Sequence, residues 1–147
     1  MTLPKAAFVA LGAFAWSGGK FDQDAGDAVI RAALDEGLDL EAIGELEAVM
    51  SYPVDLPVIE RNSMSKEDRV FVYAVARWIA NLDGVVQDAE AVLLTQLAER
   101  LGLPERQRAS ADAVIREVSK LPDGDRPARY DLGAVRTLIK ERLKPKT

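Results

Sequence analysis

The chain has 147 residues, 48% of them apolar, and a net charge of −5; that is enough for one domain with a real core, and the charge argues against nucleic acid as a partner. With no cysteine, disulfides and thiolate zinc sites are excluded, and with no histidine the commonest general base, transition-metal ligand and pH switch are missing. Any metal site must therefore be built from oxygen ligands, which points to calcium, magnesium or manganese.

The chain opens on the apolar run 6–16, AAFVALGAFAW, too short for a membrane span. Ala13 and Ala15 have the A-x-A spacing of a signal peptide, but an internal repeat described below argues for a core helix. Residues 24–36 read as the next helix, and Asp22 is a good cap for it. Gly37 sits where a helix ends in a left-handed cap, with Leu38 folding back on the last turn. LDLEAIGELEAVMSY gives a third helix, and YPVDLPVIERNS, with its two prolines, a linker or short helix.

Residues 70–80 are again apolar on nearly every face, so this helix and the first should both be buried all round. A turn, NLDGVVQD, follows. In 89–101, Val92, Leu93, Leu97 and Leu101 recur at helical spacing, and Gly102-Leu103 repeats the left-handed cap. LPERQRASADAVIREVSK gives a sixth helix, with Pro104 suited to its first turn, and DLGAVRTLIKERL a last one at about 130–144. No alternating strand pattern competes.

Sliding the sequence by 65 residues brings Ala15 onto Ala80, Gly19 onto Gly84 and Ala33 onto Ala98. In the same register, Gly37-Leu38 falls on Gly102-Leu103 and Leu56-Pro57 on Leu121-Pro122. The matches include the glycines and the proline that punctuate structure. The expected fold is all-α: a single domain, residues 1–147, of about seven helices. It is built from two pseudo-symmetric three-helix units, about 4–62 and 69–127, plus the C-terminal helix. The two all-apolar helices should be neighbours across a pseudo-twofold axis, since neither can otherwise hide its whole circumference.

Residues 76–103, ARWIANLDGVVQDAEAVLLTQLAERLGL, resemble the TerB-like family of tellurite-resistance-associated helical domains. The shared pattern is a small-residue-rich helix, then D-G-x-[IV]-x-x-x-E, then a helix ending in L-G-[LI]. Residues 10–38 resemble it more weakly, and the likeness extends over most of 1–120. The resemblance implies a compact all-α module of a bacterial stress or defence system, cytoplasmic and non-enzymatic. It implies Asp83 and Glu90 as the motif acids, proposed in the family to bind a divalent cation. This chain departs from the pattern in its first copy, where Gly18 stands for the Asp and Ala25 for the Glu, so a shared site loses half its carboxylates.

The residues give Asp83 and Glu90 a structural role as well. Asp-Gly is a strong turn dipeptide, and Glu90 falls in the first turn of its helix, where a carboxylate gains about 0.3–1 kcal/mol from the macrodipole. Two carboxylates alone hold a divalent ion weakly, because calcium takes 6–8 oxygens; Asp88 and Gln87 add oxygens nearby. Turn and cap is the stronger reading, with metal the alternative. The dipole likewise explains Asp22, Asp24 and Asp27. Trp16 and Trp78 close the two apolar helices and read as core or half-buried. Arg77 is expected to pair with an acid, Asp83 or Glu90.

No phosphate loop, nucleophile with a base, or paired-carboxylate spacing is present, so no enzyme is expected. Residues 1–64 carry −7, residues 65–147 carry +2, and the segment 126–147 holds 7 basic and 2 acidic groups. The leading expectation is a non-catalytic module that binds another protein, with no resident cofactor, no nucleic acid and no membrane. Its surfaces would be Glu41, Glu45 and Glu47 in one helix, and Arg136, Lys140 and Lys144, which share a face of the last. The alternative is a divalent-cation sensor using Asp83 and Glu90.

Overall fold

The computed structural model describes residues 5–16, 21–52, 64–80, 88–118 and 137–141. Among these the chain is all-α, with seven helical segments and no strand. They are α1 (Lys5–Ala15), α2 (Gln23–Asp35), α3 (Leu40–Met50), α4 (Lys66–Ala80), α5 (Asp88–Leu101), α6 (Glu105–Val118) and α7 (137–141). The linker read at 53–63, the turn at 81–87 and the rest of the last helix lie outside the described residues.

Local chemistry sets the helix ends. The Asp22 carboxylate accepts from Ala25 N at 3.2 Å and the Asp39 carboxylate from Ala42 N at 2.8 Å, which starts α2 and α3. Helix α4 starts four residues before the apolar run, because the Ser65 hydroxyl accepts from Asp68 N at 3.0 Å. Gly37 and Gly102 have φ of +88° and +67°. Each closes a paired cap: Leu38 N donates to Ala33 O and Gly37 N to Leu34 O, while Leu103 N donates to Ala98 O and Gly102 N to Glu99 O. These bonds satisfy carbonyls that a helix end otherwise leaves orphaned.

The landmarks recur at the expected spacing. Helices α1 and α4 end at Ala15 and Ala80, α2 and α5 start at Gln23 and Asp88, and α3 and α6 start at Leu40 and Glu105. Several contacts recur as well, although α2 packs on α3 and no comparable packing joins α5 to α6 among the described residues. Helix α1 packs on α2 and α3 as α4 packs on α5 and α6; α1 also touches α5, as α2 touches α4.

The two apolar helices pack on each other at the centre. On α1, Ala7, Phe8, Ala10, Leu11, Ala13, Phe14 and Ala15 are at most 2% exposed, and on α4 every residue from Val70 to Ala80 except Arg77 is buried. A helix apolar on all sides has to be surrounded, and this is the physical reason for its central place. One contiguous buried cluster takes residues from all seven segments, including Ile139 of α7. Among the described residues, no helix is long and apolar enough to cross a membrane.

Candidate functional site

Of the sequence-predicted acids, Asp83 lies outside the described residues. Asp88 is exposed and Glu90 half-buried, both in the first turn of α5. Among the described residues, no group of three or more carboxylates is placed to hold a metal ion. Arg77 has an acid partner on another helix. Its Nε lies 3.3 Å from Asp112 Oδ1, on α6, an acid that the sequence reading did not single out. Residues 77 and 112 meet because α4 and α6 pack along much of their length. Trp78 is core, and Trp16 is half-buried. Glu41, Glu45 and Glu47 are exposed on α3 and Lys140 is exposed on α7; Arg136 and Lys144 lie outside the described residues.

The described residues form an open groove of about 460 Å³ where the end of α1 meets α2 and α3. Its walls carry two rings and two carboxylates. The Trp16 indole N–H donates to Met50 O at 2.9 Å, capping one of the last carbonyls of α3 and fixing the ring. The Phe21 ring tilts against Trp16, with centroids 5.4 Å apart and planes at 54°. Asp27 on α2 and Glu47 on α3 face the same groove. Asp27 Oδ1 accepts from Gln23 Nε2 at 2.8 Å, and neither acid has an ion-pair partner among the described residues.

Two glycines make room for this wall. Phe21 precedes the N-cap and stacks over Gly26, the fourth helical residue, as in a hydrophobic staple with its second member removed. A Cβ at Gly26 would stand 2.3 Å from Phe21 Cζ, and one at Gly12 would stand 3.0 Å from Met50 Cγ. Glycine inside a helix costs about 0.5–1 kcal/mol relative to alanine, so both positions trade helix stability for the placement of Phe21 and Met50.

Charge is concentrated here. Residues 21–52 hold nine Asp and Glu against one base, Arg31. Arg31 Nε sits 3.3 Å from Asp35 one turn on, so it neutralises its own helix and not the groove. Of the six exposed large apolar residues among the described residues, Phe21, Leu34, Leu40, Val49 and Tyr52 fall in the same stretch, and Val92 lies on α5. The α2–α3 hairpin is thus both acidic and apolar at its surface.

The matching seam of the second half has a different chemistry. Along α4, Tyr73 and Arg77 meet Arg108 and Asp112 of α6. Burial, and next the Asp112 carboxylate, push the Tyr73 phenol above its ordinary pKa, while Arg77 and Arg108 pull it down. Arg69 reaches Leu101 O at 3.5 Å and Arg108 Nε reaches Leu103 O at 3.3 Å, so both arginines serve the end of α5.

Sequence reasoning named Asp27, Glu47 and Trp16 separately and missed Phe21, Gly26 and Met50. The available signal was an aromatic residue before a helix cap with a glycine five residues later. Comparison with protein-family models, curated proteins and solved structures finds no match to this chain.

Proposed function

We propose that this chain is a non-catalytic, TerB-like interaction module, internally duplicated, which binds a basic segment of another protein through its α2–α3 face. The observation that carries this reading is the coincidence of two surface properties on one hairpin. Nine acids against one base give a strong negative field, and among the described residues five of the six exposed large apolar residues lie in the same stretch. Exposed apolar groups set among charges of one sign are the pattern of a docking face, because a complementary partner covers both. A basic amphipathic helix supplies that complement. The TerB-like resemblance supports a cytoplasmic role in a bacterial stress or defence system, with the partner defining the process.

The test is titration of the full chain with a fluorescent basic amphipathic peptide and with its charge-reversed counterpart. The basic peptide should bind, more weakly as salt rises from about 50 to 500 mM, and the acidic one should not. Glu41→Gln and Glu45→Gln should each weaken the basic peptide. Equal affinity for the two peptides, or none for either, overturns the reading.

A further inference from the structure

The groove at the head of this face has a composition of its own. It brings together a fixed indole, a second ring tilted against it, and carboxylates on two facing helices, Asp27 and Glu47. Neither acid is neutralised by a cation among the described residues. The second half repeats the helix order but not the α2–α3 packing, and at the corresponding sequence positions, 65 residues on, it has Asn81 for Trp16, Val86 for Phe21, Ala91 for Gly26 and Val92 for Asp27. The rings, the glycine and the acid on α2 are thus particular to the first half, where all four line the groove.

We infer that the groove receives an arginine side chain of the basic partner segment. The inference rests on the proposed function and names its anchoring contact. An aromatic face attracts a cation through the ring quadrupole, and a guanidinium stacks flat on it while keeping its N–H donors at the edge. Those edge donors are the groups that two flanking carboxylates accept. The aliphatic stem of the arginine lies on Trp16 and Met50. A lysine meets the charge but not the planar shape, since its ammonium is a compact and strongly hydrated point. At about 460 Å³ the groove is within the range of small-ligand sites, which leaves space for the partner's neighbouring side chain as well.

The probe is a synthetic amphipathic peptide with leucines on one face and arginines on the other, with an all-lysine and an all-citrulline version, each labelled and titrated into the full chain. The arginine peptide should bind about tenfold more tightly than the lysine peptide, and the citrulline peptide should not bind. Asp27→Asn and Glu47→Gln should erase the preference for arginine; both positions are exposed, and circular dichroism checks that the fold is kept. Gly26→Ala, which leaves charge untouched and pushes the Phe21 ring aside, should erase it too. The Trp16 indole N–H resonance should move on adding the arginine peptide and stay in place with citrulline. If lysine and arginine bind equally, or the preference survives Asp27→Asn with Glu47→Gln, the groove inference fails while the docking face stands. If neither cationic peptide binds, both fail together.

Discussion

Arg77 Nε lies 3.3 Å from Asp112 Oδ1 across the seam between α4 and α6. The corresponding positions in the first half, 65 residues earlier, hold Gly12 and Glu47. In the second half the acid is neutralised by the helix it packs on. In the first, glycine removes the arginine, Met50 closes over the space, and Glu47 stays unpaired among the described residues. One seam thus pairs its acid with an arginine, and the other presents its acid to solvent.

The Arg77–Asp112 pair should contribute little to stability. Both side chains are 36% exposed, and Asp112 Oδ1 makes no hydrogen bond in addition to the electrostatic contact. Asp112→Asn should cost less than about 1 kcal/mol in urea unfolding. It should, however, lower the Tyr73 pKa, since the carboxylate helps hold the phenol up. Spectrophotometric titration, with Tyr73→Phe to identify the signal, reads this directly.

Tyr73 also predicts an alkaline limb. Its folded pKa is raised, so between 10.0 and that higher value the unfolded chain loses a proton that the native chain keeps. Unfolding releases the proton, and stability falls as pH rises through that window; below pH 10.0 the contribution is fully present. Tyr73→Phe should flatten this part of the stability curve, and an unchanged slope would contradict the assignment.

Gly44 and Gly37 should respond oppositely to alanine, although a Cβ at either meets nothing within 4 Å. Gly44 lies inside α3 in ordinary helical conformation, so Gly44→Ala should stabilise by about 0.5–1 kcal/mol. Gly37 has φ +88°, so Gly37→Ala should destabilise by about 1–2 kcal/mol. Denaturant midpoints of the two variants check the sign.

Helix α1 should be indispensable. Phe8 is fully buried, and Phe8→Ala should cost about 3–5 kcal/mol. Deleting residues 1–15 should leave a remainder that is insoluble or lacks near-ultraviolet dichroism. A well-folded remainder would contradict the central place of α1.

The alternative of a divalent-cation sensor is tested by thermal melts with millimolar calcium, magnesium or manganese. An ion that binds only the native state raises the melting temperature. On the interaction-module reading no shift is expected. A shift abolished by Asp83→Asn would transfer the function to the cation.

Most of the architecture was legible because its determinants act over short distances. Asp22 caps a helix three residues away, Gly37 and Gly102 end helices within one turn, and an all-apolar face requires burial whatever its neighbours. The start of α4 was misread, since the apolar run begins five residues after the Ser65 cap. Asp112 as a partner of Arg77 was not legible, because nearness along the chain favoured Asp83 or Glu90 and the packing of α4 on α6 brings Asp112 to it.

By itself, the residue order determined the all-α class, most of the helix ends and the two central helices, since propensity, capping and hydrophobic periodicity are properties of a few consecutive residues. Only the tertiary structure decided that Trp16 reaches Met50, 34 positions away, and that Asp27 and Glu47 flank the same groove. Such meetings depend on the angles and offsets at which helices pack, and those are set by the fit of whole faces against each other rather than by any local run of sequence.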